Sequence, residues 1–158
     1  MKNRKLFAII IAVALTLTML APAALADTIK IGGLAPLTGE VAQYGIAVRE
    51  GVDLYIDQLN AKGGIDGNQI EIIWFDEMGD ATKAVNGFNQ LVDNDGVIAI
   101  IGDVTSTPSL AVGEVAKDIG IPMITASATN YDVTTDKPFY FRSCFLDPFQ
   151  ASVMASTW

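Results

Sequence analysis

From Thr28 to Ser127 short apolar runs alternate with longer stretches of helical period, strand then helix, without exception. "TIKIGGLAP" (28–36), "QIEIIWF" (69–75), "GVIAIIG" (96–102) and "IPMITAS" (121–127) read as strands. Between them, "YGIAVREGVDLYIDQLNAKGG" sets Ile46, Val48, Val52, Tyr55, Ile56 and Leu59 on one helical side and stops at Gly63-Gly64. "DATKAVNGFNQLVDND" opens on Asp80 as N-cap and gathers Ala84, Val85, Phe88, Leu91 and Val92. "TPSLAVGEVAKDIG" tolerates Pro108 in its first turn. A continuous apolar strand such as "GVIAIIG" is of the kind covered on both faces, so the alternation predicts an α/β fold: a doubly wound parallel sheet with helices on both faces.

Such sheets bind ligands outside the carboxyl ends of their strands, where helix N-termini offer free N–H groups. Here those ends are "GGLAPLTGEVAQYG", "FDEMGD", "GDVTSTPS" and "TASATNYD". Three of the four are rich in Gly, Ala, Ser or Thr, residues short enough to let backbone and hydroxyl groups reach a small molecule.

Catalytic readings find little support. The chain has no His, which excludes a Ser-His-Asp triad and a His-ligated zinc site. "GDVTSTPS" holds no G-x-S-x-G elbow, and "GLAPLTGE" puts Glu40 where a phosphate loop needs Lys. Asp76, Glu77 and Asp80 match no calcium-loop spacing and read as a solvated loop with a helix cap. Neither a metal nor a cofactor is expected, and the chain does not read as an enzyme.

The N-terminus addresses the chain outward. "MKNRK" supplies cations, "LFAIIIAVALTLTML" an apolar run short of a membrane span, and Ala24-Leu25-Ala26 a small-residue cleavage site, so residues 1–26 read as a signal peptide. Their removal takes away Lys2, Arg4 and Lys5 and no acid, leaving 7 basic against 18 acidic residues. So acidic a surface disfavours nucleic acid and anionic lipid. Cys144 is the one cysteine and can form no internal disulfide.

"IKIGGLAPLTGEVAQYGIAVREGVDLYIDQLNAKGGIDG", "IGDVTSTPS" and "PMITASATN" together closely resemble the type I periplasmic binding proteins for branched-chain amino acids, the soluble receptors of ABC importers. The resemblance runs through nearly all of the chain after residue 26. It implies two α/β lobes that close on an amino acid, a monomer in the periplasm or other extracytoplasmic space, and delivery to the membrane subunits of a permease. Carried over by position, Tyr44 packs against the ligand and Ser106 binds its carboxylate through the hydroxyl. Ser127 and Thr129 bind the α-carboxylate and α-ammonium, with Ala128 between them in the same turn. Each position also has a structural reading: Tyr44 as a helix staple, Ser106 as an N-cap, Thr129 and Asn130 as a plain turn. Trp74 and Phe75 read as core, and Arg142 as a surface or crossover ion-pair partner.

The chain departs from the family pattern in two ways. The disulfide that some relatives carry between the second and third loops is replaced by Gly79 and Thr105. Relatives are also longer, so residues 27–138 are expected to form the N-terminal ligand-binding lobe. Residues 139–158 then supply a crossover strand, "PFYFRSC", and the first helix of a second lobe, "DPFQASVMASTW". The half-site predicts weak binding by these residues alone. Two other readings of the same fold stay open: the ectodomain of a sensory receptor, and a truncated product with no transport role.

Overall fold

A computed structural model describes residues 27–157; the proposed signal peptide lies outside them. Five parallel strands form one sheet in the order β2-β1-β3-β4-β5. They are β1 (Thr28–Ala35), β2 (Gln69–Asp76), β3 (Ile100–Ile101), β4 (Met123–Thr125) and β5 (Tyr140–Arg142). The helices are α1 (Ala42–Ala61), α2 (Ala81–Asn89), α3 (Ser106–Ile119) and α4 (Asp147–Ser156). Strand order reverses between β1 and β3, the position at which open parallel sheets place their ligand crevice.

Register assigns the two faces. Gly32, Ile100, Met123 and Tyr140 are mutual partners and stand on one side. There they join Leu34, Ala84, Phe88, Leu91 and Val112 in the buried core under α2 and α3. The next row, Gly33, Ile101, Ile124 and Phe141, points the other way. Helix α1 packs there over β1 and β2, close because two glycines permit it. Gly33 lies flat beneath Trp74, whose ring would come within 2.2 Å of an added Cβ. Gly45 lies against the Pro36 carbonyl, 2.0 Å from where a Cβ would be. Trp74 also donates from Nε1 to Asp53 of α1 at 2.9 Å.

The sequence reading needs adjustment at several elements. "GVIAIIG" is a strand only at Ile100–Ile101, and Ile98 is exposed, so this run is not covered on both sides along its length. Beyond β1 the α1 face is open. Tyr55 is exposed, as are Ile124 and Phe141, and an apolar groove of about 860 Å³ runs between α1 and the strands. The second helix is capped by Asp80, which accepts from the Lys83 N–H at 2.8 Å, but it widens into a π-turn over Gln90–Asn94. The break leaves Leu91 buried.

Candidate ligand-binding site

The loops after β1, β3 and β4 meet at the carboxyl end of the sheet around an open cleft of about 320 Å³, lined by Tyr44, Val104, Thr105, Ser106, Ser127 and Thr129. Four of the five residues singled out from sequence therefore line one cleft. Ala128 does not line it: its side chain is buried, its N–H donates to Thr125 Oγ1 at 3.1 Å, and its carbonyl accepts from Arg142.

The first wall is shaped by Asp76 at the end of β2. Its carboxylate accepts from the N–H groups of Leu37 and Thr38 at 2.8 and 3.1 Å and from Thr38 Oγ1 at 2.6 Å. Burial alone would raise its pKa, but these bonds and one from the Met78 N–H hold it below the usual carboxylate range. The loop is thus fixed before it enters α1, and Tyr44 projects half-exposed into the opening.

The second wall is the start of α3. Thr105, not Ser106, is the N-cap, in extended conformation, and neither its hydroxyl nor any other side chain caps the helix. Ser106 is the first helical residue, and its Oγ accepts from the Asn130 N–H at 3.4 Å. Among the described residues no hydrogen bond takes up the N–H of Ser106 or Thr107. The helix therefore presents open donors, with its positive dipole end, to the cleft.

The third wall is the turn after β4. Ser127 Oγ donates to the Val104 carbonyl at 2.7 Å, lacing this turn to the one after β3. Thr129 is different: among the described residues no hydrogen bond engages its hydroxyl or its N–H.

Beneath the cleft lies a buried junction around Asp103. Its N–H donates to Tyr140 Oη at 2.8 Å, and its carbonyl accepts from Thr125 Oγ1 at 2.6 Å and Ser109 Oγ at 3.1 Å. Its carboxyl accepts from the N–H groups of Val104 and Thr105 through one oxygen and leaves the other without a partner. Burial, with the charge of Glu77 adding to it, pushes this carboxyl well above the usual range. Among the described residues no Lys or Arg lines the cleft, so its donors are uncharged.

Among the described residues no three His, Cys, Asp or Glu side chains are grouped so as to share an ion. Asp76 and Asp80 are spent on N–H groups, and Glu77 is fully buried. Sequence reasoning did not find Asp103 or the role of Arg142. Among the described residues Arg142 makes no ion pair; its guanidinium donates to carbonyls of the turn after β4.

Residues 28–156 match the family described as periplasmic binding protein. The chain belongs to that family. It is 40% identical over 129 residues to the leucine-, isoleucine-, valine-, threonine- and alanine-binding protein of Pseudomonas aeruginosa, covering 81% of this chain and 34% of that one. It is 38% identical over 136 residues to Leu/Ile/Val-binding protein homolog 3 of Brucella melitensis, covering 85% and 36%. Among solved structures, it superposes with a TM-score of 0.74 at 36% identity on the branched-chain amino acid substrate-binding protein LivJ of Streptococcus pneumoniae, bound to isoleucine, covering 77% and 35%. The leucine-binding protein LivK of Thermotoga maritima follows at 0.73 and 35%, covering 80% and 35%. The described residues therefore share the fold of periplasmic binding proteins, and the chain spans about a third of the length of the curated relatives it matches.

Proposed function

We propose that this chain supplies the first lobe of an extracytoplasmic solute receptor. The receptor captures an amino acid, branched-chain in the commonest case, and delivers it to the membrane subunits of an ABC importer. On this reading residues 1–26 are the export signal and residues 27–138 the ligand-binding lobe. β5 and α4, within 139–158, are the crossover and the start of a second lobe. The carrying observation is the uncapped N-terminus of α3 facing the unengaged hydroxyl and N–H of Thr129 across a cleft without cations. Uncharged donors at a helix N-terminus hold a carboxylate without the desolvation cost of a buried cation. The relatives named for leucine, isoleucine and valine support the same substrate class.

Calorimetry on the full-length protein tests it. L-leucine, L-isoleucine or L-valine is expected to bind, and leucinol, which has no carboxylate, is expected to bind at least tenfold more weakly. Failure of every amino acid, or equal affinity for leucinol, refutes the reading. The isolated residues 27–158 are expected to bind much more weakly, because one lobe leaves the ligand half solvated.

A further inference from the structure

The turn Ala128–Tyr131 has its acceptors drawn to one side. Arg142, on β5, donates from Nη1 to the Ala128 carbonyl, from Nη2 to the carbonyls of Asn130 at 2.7 Å and Tyr131 at 3.4 Å, and from Nη2 to Thr134 Oγ1 at 3.2 Å. The chain beyond β5 adds to this: Cys144 Sγ approaches the Ala128 carbonyl at 3.3 Å and the Asp147 N–H donates to the Thr129 carbonyl at 3.2 Å. Four successive carbonyls are thus occupied by residues 142–147. No carboxylate competes for the guanidinium among the described residues.

Peptide planarity converts this into a property of the cleft. In a trans peptide the carbonyl oxygen and the next residue's N–H point in opposite directions. The peptide joining Thr129 and Asn130 displays the result: its oxygen is held by Asp147, and its N–H reaches Ser106 in the cleft wall. The preceding peptide has its oxygen on Arg142, so the Thr129 N–H is sent away from β5.

We propose that Arg142 is the positioning residue of the ligand turn: its planar fork draws the carbonyls of Ala128, Asn130 and Tyr131 toward β5, so that the Thr129 N–H is turned to the cleft as a donor for a carboxylate. This rests on reading the cleft as an amino-acid site. Lysine cannot replace it, because an ammonium is a point donor and does not span the Ala128 and Asn130 carbonyls in one plane.

The test uses full-length protein carrying Arg142→Lys or Arg142→Ala, with Lys137→Met as control. Lys137 Nζ anchors the same loop lower down, at the Asp132 carbonyl, 2.9 Å away, and makes no hydrogen bond to residues 128–131 among the described residues. Hydrogen exchange is read without ligand, and L-leucine affinity by calorimetry below the melting transition. Both Arg142 variants are expected to speed exchange in residues 126–131 at least tenfold and to raise the leucine Kd at least tenfold; Lys137→Met is expected to do neither. Should Arg142→Ala fail to fold, Arg142→Lys, which keeps charge and stem, decides alone. Unchanged exchange overturns the proposal even if no amino acid binds the parent protein, so its failure is distinct from failure of the functional reading. Faster exchange with unchanged leucine affinity overturns it too.

Discussion

Glu77→Gln should stabilise this domain, and only above mildly acidic pH. Glu77 follows β2 with no exposed surface, and neither carboxylate oxygen makes a hydrogen bond of normal geometry. Burial raises its pKa from 4.5 to about 7; the nearby N–H groups of Gly79 and Asp80 restrain the rise, and the charges of Asp76 and Asp80 add to it. The folded state therefore holds the proton more tightly than the unfolded chain. As pH climbs from about 4.5 to about 7 the unfolded chain releases that proton first, and stability falls. At about 1.4 kcal/mol per pKa unit the loss is about 3 kcal/mol once the pH exceeds 7. A buried amide returns about 1 kcal/mol of that in unmatched polarity, leaving a net gain of about 2 kcal/mol at pH 8. Urea denaturation of both proteins at pH 4, 6 and 8 measures it. At pH 4 the variant is expected to equal or slightly trail the parent, and the two should diverge as pH rises. A difference that stays flat with pH, or a variant weaker at pH 8, refutes the reasoning.

Thr129→Val should leave the unfolding midpoint nearly unchanged, since among the described residues nothing bonds to the hydroxyl. It should cost the full-length protein about 2 kcal/mol of leucine affinity, roughly thirtyfold in Kd by calorimetry, as for a lost hydrogen bond to a charged group. Gly45→Ala places a methyl 2.0 Å from the Pro36 carbonyl, a backbone atom that cannot swing aside, and should destabilise by about 3 kcal/mol in urea denaturation.

Periodicity made the layers legible and register completed them. Ala84 and Phe88 of α2, and Leu91 in the π-turn that follows it, are buried as their spacing requires. Tyr55 was not legible, because a helical stripe predicts a partner surface and only part of this one is covered. The cap was misread for a related reason. "VTSTPS" offers hydroxyls in succession, and which becomes the N-cap depends on where the chain leaves β3. That point is fixed by the buried bonds of Asp103 to Tyr140, Thr125 and Ser109. Residues 37 and 22 positions away set it, so no local pattern contains it.

The same distance effect bears on ligand chemistry. Small and hydroxylic residues in "TASATNYD" announce a close approach but not its polarity, since every peptide unit carries a donor and an acceptor. Polarity is decided by which side of the turn is already spoken for, and here residues 142–147 take the carbonyls of 128 to 131. A zwitterion needs donors at one end and acceptors at the other. On the proposed reading the backbone of 128 to 131 addresses the carboxylate, and the α-ammonium is left to the Thr129 hydroxyl, the Ser127 carbonyl and acceptors outside the described residues. An analogue without the ammonium group should therefore lose less of its affinity for the isolated lobe than for the full-length receptor, and an equal loss in both would refute this division.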